Sequence, residues 1–228
     1  MGEDAVKLLG GEAGAPIAVD DQITVNKSGQ SLGQKGHRTR QRILQATRRL
    51  IEAQKGLAPA AAAVAREAGI SSPTFYLYFA DVGEAILDVV ADIAHEFEPV
   101  AALLEAPWPE DRTYEHARAF IEAYFAYWYA HAAILRVRNR VADEGDERFK
   151  TLRITQGSRL SDPLKAKLAP GEFEGRVVAD RMTLASILIT ALERTATVEA
   201  LALYPQQRES TDYVKAGLAL LIARAIKG

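Results

Sequence analysis

The sequence predicts an all-α protein, and three observations lead to that prediction. Apolar residues recur at spacings of three and four along most of the chain, which is the period of an amphipathic helix. Proline, glycine and capping residues separate these segments and mark where helices begin and end. Alternation of apolar and polar residues nowhere extends far enough to require a sheet.

The chain opens with a segment that is predicted to be a flexible arm. Residues 1–36 contain scattered Gly, Ser, Gln and Asp with little hydrophobic periodicity. Four apolar residues allow a short hairpin as an alternative: Ile17, Val19, Ile23 and Val25. Residues 35–66 then hold eight Lys or Arg and one Glu, a net charge of +7 in a chain whose formal net charge is −2. A basic segment on an otherwise acidic protein is typical of nucleic-acid binding.

The first two helices are predicted within this basic segment. Apolar residues from Ile43 to Ile51 fall at helical spacing and predict a first helix that starts near Arg40. Residues 56–59 break it. An alanine-rich second helix begins at the proline that closes this break and reaches about Glu67.

A turn followed by an aromatic helix is the most informative motif of the chain. Gly69 permits a close turn, and Ser72 is predicted to cap the third helix with Pro73 at its first position. Phe75 and Phe79 are four residues apart and are expected to face inward. The remaining side chains can contact phosphates or base edges: Thr74, Tyr76, Leu77 and Tyr78. This pattern indicates a helix-turn-helix DNA reader, with an ordinary helical hairpin as the alternative.

The rest of the chain is predicted to form a larger helical body. Asp81 and Glu84 form a capping-box variant that starts a fourth helix, and Pro99 kinks or ends it. Thr113 is expected to cap a long aromatic helix. The later helices are expected at 113 to about 131, 132–142, about 147 to 168, 176–203 and 211–226.

The last two predicted helices are apolar nearly all round, so one face cannot bury all of their apolar residues. The protein's own core on one side and a partner subunit on the other would cover them, which predicts a homodimer with a two-fold interface. The expected interface residues are Leu184, Leu188, Leu192, Leu218, Leu221 and Ile222.

Aromatic side chains on the long helix form the candidate ligand site. The members of this group are Phe120, Tyr124, Phe125, Tyr127 and Trp128. Phe120, Tyr124 and Trp128 stand four residues apart on one stripe, and the phenol and indole groups add polar handles to an apolar wall. Plain core packing is the alternative.

Arginines on two predicted helices need solvent or a partner. Three of them alternate along one helix, which spreads them around its surface: Arg136, Arg138 and Arg140. Solvation is expected for these, although one could receive an anionic ligand. Arg194 lies in a very apolar helix and must find an acid, such as Glu193, Glu199 or an acid across the dimer.

Several kinds of site are disfavoured by what the sequence lacks. The chain has no cysteine, which excludes disulfides and thiolate metal sites, and no apolar run reaches the length of a membrane span. The acidic N-terminus does not resemble a secretory signal, so a cytoplasmic protein is expected. His95, His116 and His131 are too scattered for a metal motif. With no catalytic or phosphate-loop motif either, no enzyme activity, metal or cofactor is expected.

The motifs of residues 40–87 resemble the TetR/AcrR family of bacterial transcriptional regulators. The matching residues keep the family's order: Arg42-Ile43-Leu44, Ala46, Val64-Ala65, Ala68-Gly69-Ile70-Ser71, Thr74-Phe75-Tyr76, Tyr78-Phe79 and Leu87. The run from Pro73 to Phe79 and the segment Glu193-Arg194-Thr195 are also similar to regulators of the EthR type. The body resembles the family in its helical plan.

This resemblance implies an architecture and a set of DNA contacts. Three N-terminal helices would read DNA as a homodimer, a helical body would hold a small-molecule pocket, and the last two helices would form the dimer interface. By position, Ser72, Pro73 and Tyr76 would face bases, while Thr74 and Tyr78 would hold phosphates. The full set expected to contact DNA also includes Ser71, Leu77, Lys35, Arg38, Arg40 and Arg42.

The chain departs from the family pattern at two places. Members commonly have a polar residue where Ala60, Ala61 and Ala62 stand, and Lys where Val82 stands. These changes lower phosphate affinity. The basic residues of the arm would compensate, because each neutralised phosphate adds salt-dependent binding.

Three segments are therefore predicted: a flexible arm over 1–36, a helix-turn-helix domain over 37–82, and a ligand-binding and dimerisation domain over 83–228. The expected function is a ligand-responsive regulator, usually a repressor in this family, that a small, mainly apolar effector releases from a palindromic operator. Two alternatives stay open. One is an all-helical enzyme with a pocket, and the other is a dimeric scaffold or small-molecule-binding protein with a degenerate DNA reader.

Overall fold

The computed structural model describes residues 33–200 and 208–228, and in these parts of the chain the fold is helical, as predicted. The elements follow in the order α1 (Gln34–Ala53), α2 (Ala61–Glu67), α3 (Ser72–Tyr78), α4 (Val82–Ala94), α5 (Glu98–Glu105), α6 (Thr113–Asp143), α7 (Glu147–Lys167), β1 (Gly171–Phe173), β2 (Arg176–Ala179), α8 (Arg181–Ala200) and α9 (Arg208–Lys227). Single 3-10 turns at His95–Phe97 and Glu110–Arg112 precede α5 and α6.

Helix α1 begins at Gln34, earlier than the predicted start near Arg40 and inside the segment expected to be an arm. This places Lys35 and Arg38 on the first turns of a helix, where residues three apart share a face. The residues considered for a hairpin, Ile17 to Val25, lie outside the described part of the chain.

The first three helices pack around a small apolar core, and α4 packs against α1. Ile43 of α1, Val64 of α2 and Phe75 of α3 are completely buried in it. Phe79 is buried beside Phe75, with ring centroids 5.7 Å apart, which confirms that both rings face inward. Burial of these two rings fixes which side of α3 is left to face outward.

The N-cap of α3 is Ser71, so the prediction that Ser72 caps this helix was wrong. The Ser71 hydroxyl oxygen accepts from the Thr74 amide at 3.3 Å, and the Ser71 backbone is extended, as an N-cap requires. A cap at Ser72 would serve the Phe75 amide, which already donates to the Ser71 carbonyl at 3.1 Å. Pro73 accordingly occupies the second helical position.

The predicted capping box at the start of α4 is confirmed. The Asp81 carboxylate accepts from the Glu84 amide at 2.8 Å, and the Glu84 carboxylate accepts from the Ala80 amide at 2.6 Å. Both bonds satisfy amides at a helix start that have no partner within the helix. The helix ends before Pro99, which stands in the first turn of α5, where a missing amide hydrogen costs nothing.

Helix α6 is the centre of the body and contacts α4, α5, α7, α8 and α9. It joins the two helices predicted on either side of residue 131 into one, with a kink at His131, where φ is −118° and ψ is 17°. Thr113 does not cap this helix. Its hydroxyl instead donates to the carbonyls of the preceding turn, Pro109 at 3.3 Å and Glu110 at 3.0 Å.

A short antiparallel hairpin of β1 and β2 adds a small sheet to the predicted all-α fold. The hairpin turns through Glu174 and Gly175, both in the left-handed region, with φ of 49° and 73°. Asp180 then caps α8 by accepting from the Thr183 amide at 2.7 Å. Residues 176–179, predicted as the start of a helix, are therefore a strand, too short to show an alternating pattern.

The last two helices bury part of the predicted dimer interface in their own protomer. Leu192, Leu218 and Ile222 are 0%, 8% and 2% exposed and belong to the main core, so they cannot contact a partner. Leu184 and Leu188 are half-buried against the same core. Leu221 is exposed, and α8 and α9 leave other apolar side chains in solvent: Met182, Ile187, Tyr213 and Leu220.

None of the helices within residues 33–200 and 208–228 is long and apolar enough to span a membrane. In the same two stretches no three His, Asp or Glu side chains lie close enough to hold a metal ion. Two of the three scattered histidines have structural contacts instead. His116 stacks on Trp108 with centroids 6.0 Å apart, and His131 bonds to the Glu96 carboxylate at 3.1 Å.

Candidate nucleic-acid interface and interior cavity

The outward face of α3 is an aromatic and apolar surface. Tyr76 and Leu77 are 52% and 46% exposed, and Pro73 is exposed beside them. The Tyr76 ring packs edge-on against buried Phe75 at 5.4 Å, so its position is fixed from below. Side chains held in this way can insert into a groove with little further loss of conformational entropy.

The hydroxyl residues of the same motif are less accessible. Ser71 is exposed, but its hydroxyl lies 2.8 Å from that of Thr74 as part of the helix cap. Ser72, Thr74 and Tyr78 are half-buried, and Tyr78 also packs against the core. The structure therefore brings all the predicted α3 residues to one end of the domain, with Pro73, Tyr76 and Leu77 outermost.

The four basic residues predicted to hold phosphates divide into two pairs. Lys35 and Arg38 are exposed on the first turns of α1. Arg40 instead forms an ion pair with Asp88 of α4, and its guanidinium lies 5.2 Å from the Phe79 ring centroid. Arg42 donates to the carbonyl oxygens of Ala68 and Gly69, the latter at 3.3 Å. Arg40 and Arg42 thus hold α1 to α4 and to the turn before α3.

Ala60 and Val82, the two unusual residues noted in the sequence, stand at the starts of α2 and α4. Ala60 is the N-cap of α2 and offers no side-chain acceptor to the amides of the first turn. Val82 is half-buried against the core at the start of α4. Neither position carries a charge toward the surface.

Two contacts join the N-terminal helices to the body. Gly56, in the turn after α1 with φ of 89°, packs so closely on α6 that a Cβ there would lie 2.8 Å from Cβ of Arg136. The Arg136 guanidinium donates to the Lys55 carbonyl at 3.2 Å. On the other side, Arg148 of α7 pairs with Asp81 at the start of α4 at 3.0 Å. The first contact supports the turn after α1 and the second supports the start of α4, so both act on the domain that contains α3.

A cavity of about 70 Å³ lies inside the body. It lies between α4, the turn after it, α6, α7 and α8 and is partly open to solvent. Its lining comprises Ala94, Phe97, Tyr124, Tyr127, Trp128, Leu135, Arg138, Arg153, Gln156, Gly157, Arg159, Leu160, Ile189 and Glu193. Two surfaces of this lining have distinct chemistry: an aromatic wall of Phe97, Tyr124, Tyr127 and Trp128, and an arginine wall of Arg138, Arg153 and Arg159.

The aromatic wall contains three of the five predicted ligand residues. Tyr124 stacks on Trp128 with centroids 6.1 Å apart, and Phe97 packs edge-on against Tyr127 at 5.0 Å. Phe120 and Phe125 are not part of the lining. Both are fully buried in the core. Phe120 lies one helical turn before Tyr124, and Phe125 lies to the side of the stripe that faces the cavity.

The two phenols of the aromatic wall are protonated at neutral pH. Burial raises the pKa of Tyr124 far above its ordinary value, and the nearby negative charge of Glu193 raises it further. Burial likewise raises the pKa of Tyr127 to about 12. The Tyr127 hydroxyl donates to the Ile93 carbonyl at 3.3 Å.

A buried polar network centred on Arg138 was missed by sequence reasoning. Arg138, expected in solvent, is 8% exposed, and it donates to Glu193 at 2.9 Å, to Gln156 at 2.7 Å and to Asn139 at 2.9 Å. Glu193 therefore serves Arg138, not the expected Arg194, which is exposed. One signal was available, because Tyr124, Trp128, Leu135 and Arg138 continue a single helical stripe along α6.

Two features of the cavity lining point to an occupant. The indole Nε1 of Trp128 is buried and has no acceptor among the described residues, and such a donor costs free energy when left unpaired. Gly157 stands in the interior of α7, where glycine is unfavourable, and a Cβ there would meet no atom within 4 Å. The α7 wall thus has open space at a position where most helical residues carry a side chain.

Comparisons with known proteins agree with this architecture. A family model for bacterial regulatory proteins of the tetR family matches residues 43–81, and one for the C-terminal domain of tetracycline-repressor-like proteins matches residues 101–225. No curated protein matches the sequence.

Two solved structures share the fold. One, from Mesorhizobium loti, is assigned to the TetR family of transcriptional regulators; its TM-score is 0.50 at 19% identity, covering 86% of this chain and 96% of that one. The other is the fatty acid degradation regulator FadR from Bacillus halodurans, with a TM-score of 0.54 at 15% identity, covering 87% of this chain and 97% of that one. At these identities the likeness shows the fold alone. Because the match over residues 101–225 alone spans more than half of the 228 residues, the chain belongs to the TetR family of bacterial transcriptional regulators.

Proposed function

We propose that this regulator binds a near-palindromic operator as a homodimer and is released from it by a small molecule that occupies the cavity of the body. The observation that carries the proposal is the exposed Tyr76 and Leu77 on an α3 whose inward side is fixed by Phe75 and Phe79. A two-fold dimer presents two such helices, so half-site centres should lie about one helical turn, or a multiple of it, apart.

Different residues should contribute sequence preference and general affinity. Tyr76→Ala removes a side chain aimed at base edges, and we expect the ratio of operator to random-duplex affinity to fall about tenfold. Lys35→Ala or Arg38→Ala removes an exposed charge from α1, so affinity for every duplex should fall and the slope of log K against log salt should decrease by about one. Titrations of fluorescent duplexes at several salt concentrations measure both quantities.

A matched control separates surface charge from structure in this experiment. Arg49 is exposed on the same helix but pairs with Glu67 at 2.9 Å, so Arg49→Ala should leave the salt slope nearly unchanged. Wild-type protein that binds operator and random duplex equally at physiological salt would favour the degenerate-reader alternative over a regulator.

Coupling between ligand and DNA is proposed to pass through α6. On this helix Trp128 and Leu135 line the cavity, while Arg136 contacts the turn at Gly56. A cavity of about 70 Å³ is smaller than an organic ligand of this kind needs, so the ligand must displace part of the lining. A ligand that moves the segment of α6 beyond the kink at His131 would change the support of the DNA-reading helices. The two ligands would then compete through the protein's conformation.

Linkage makes this coupling measurable from either side. With phenylnaphthylamine, an uncharged aromatic dye, as the probe, we expect operator DNA to weaken dye binding and dye to weaken operator binding by the same factor, about tenfold. Dye fluorescence and operator polarisation report the two affinities. Equal dye affinity with and without bound operator would contradict the coupling, and mass spectrometry of small molecules that co-purify with the protein would identify the natural effector.

A further inference from the structure

We infer that the natural effector is an amphiphilic organic anion, with its apolar body against the aromatic wall and an acidic head, such as a carboxylate, against the arginine wall. The inference rests on the proposed function, because it assigns a ligand class to the same cavity. It also replaces the expectation of a mainly apolar effector.

The charge of the lining favours an anion. Three arginines and one glutamate, Glu193, face the cavity, so the lining has a formal charge of +2. The Arg138 guanidinium is buried, and its three described bonds use one N–H from each nitrogen, which leaves two of its five N–H groups to donate. A ligand without hydrogen-bond acceptors would displace water from these N–H groups without replacing the hydrogen bonds, which costs free energy.

The neutral groups of the lining also donate. The Gln156 carbonyl oxygen is occupied by Arg138, which leaves its amide hydrogens available. The Trp128 Nε1 has no acceptor among the described residues. The Tyr124 phenol is protonated at neutral pH, and burial raises its pKa further above the ordinary value, so it too can donate. Among the described residues Glu193 is the one carboxylate in the lining, and its Oε1 already accepts from both Arg138 and Asn139. A head group that only accepts hydrogen bonds matches this set of donors.

The outer arginines can exchange their partners for a ligand. Arg153 pairs with Asp143 at 2.6 Å, and Arg159 pairs with Glu98 through two bonds of 2.7 and 2.6 Å. Both pairs are partly exposed, and exposed ion pairs contribute little to stability. An incoming anion can therefore take the place of these carboxylates at low cost.

Two dyes that differ in a single charged group test the inference on the full chain. Anilinonaphthalenesulfonate is phenylnaphthylamine with an added sulfonate, and fluorescence measures both affinities. In the double variant Arg138→Gln/Glu193→Gln, which leaves no unpaired buried charge, we expect the sulfonate dye to bind about tenfold more weakly and the neutral dye to change by less than about twofold. In Arg153→Gln/Arg159→Gln, whose sites are partly exposed, the sulfonate dye should lose about threefold at low salt and nearly nothing at high salt.

The possible results separate failure of the anionic-effector inference from failure of the proposed function. Selective loss of the sulfonate dye supports the anion. If both dyes weaken equally, or if only the neutral dye binds the wild type, the inference is overturned while the ligand-responsive function stands. If Gly157→Phe, which obstructs the cavity, leaves both dyes bound as before, the cavity is not a ligand site and both fail. Should the Arg138 variant not fold, the variant at the outer arginines carries the same test.

Discussion

Replacing Ile187 and Leu221 with glutamate should convert the protein to a monomer and lower its operator affinity by about a thousandfold or more. Both side chains are 57% exposed, one on α8 and the other on α9, although each is apolar. Leu220 and Tyr213 of α9 are exposed as well, so each of the two C-terminal helices has an exposed apolar face. Faces of this kind on soluble proteins mark interfaces, and two copies related by a two-fold axis would cover one another.

The effect is large because a monomer keeps only one DNA-reading helix. Half of the contacts are lost, and the remaining half-site competes with random DNA. Light scattering at micromolar concentration measures the assembly, and polarisation measures operator affinity. The control is Ile154→Glu on α7, since Ile154 is also strongly exposed and apolar but lies away from α8 and α9 in sequence. A wild-type monomer, or a dimeric double variant, would show that this face is not the interface.

The sequence alone could not identify Ile187 and Leu221 as exposed apolar residues of α8 and α9. Helical periodicity reveals that α8 and α9 are apolar all round, but it contains no information about which stripe meets the protomer's own core. Leu192 and Ile222 were therefore expected at the partner and lie in the core instead. Leu221 is adjacent to Ile222 in sequence and about 100° away around the helix, enough to reverse its environment.

The helix-turn-helix was predictable because its signals are local. Phe75 and Phe79 are four residues apart, and Gly69 adopts the left-handed backbone, with φ of 65°, that its turn needs. The error of one residue in the cap arose because Ser71 and Ser72 are chemically equivalent caps. Only the hydrogen-bond pattern of the folded backbone distinguishes them.

The polar side of the cavity could not be predicted in the same way. Arg138 and Glu193 are 55 residues apart, and their pairing depends on how α8 packs across α6. Alternation of three arginines is the usual pattern of a solvated helix surface. Only the stripe that Arg138 continues from Tyr124, Trp128 and Leu135 distinguishes it from Arg136 and Arg140, and that stripe does not reveal its partner. Part of the aromatic wall was predicted, because aromatic residues at helical spacing can be recognised in the local sequence, whichever way their side chains point.

Gly157→Phe should make the operator complex resistant to release, raising the concentration of phenylnaphthylamine needed to dissociate it by about a hundredfold, or nearly 3 kcal/mol. Gly157 is in the cavity wall, in regular helix, and its missing side chain leaves open space. The phenyl ring can occupy volume that a ligand needs without clashing at Cβ. Operator binding without dye should change little, because this residue lies on α7 and not on the elements that we propose contact DNA.

Smaller and displaced substitutions isolate the cause of that resistance. Gly157→Ala adds one methyl group and should stabilise the fold by about 0.5–1 kcal/mol through improved helix propensity, while leaving most of the dye response intact. Ile154→Phe adds a ring to the exposed face of the same helix and should leave release unchanged. If Gly157→Phe and Ile154→Phe respond to dye alike, the dye acts elsewhere on the protein. A response that falls stepwise from glycine to alanine to phenylalanine would locate the controlling ligand in this cavity.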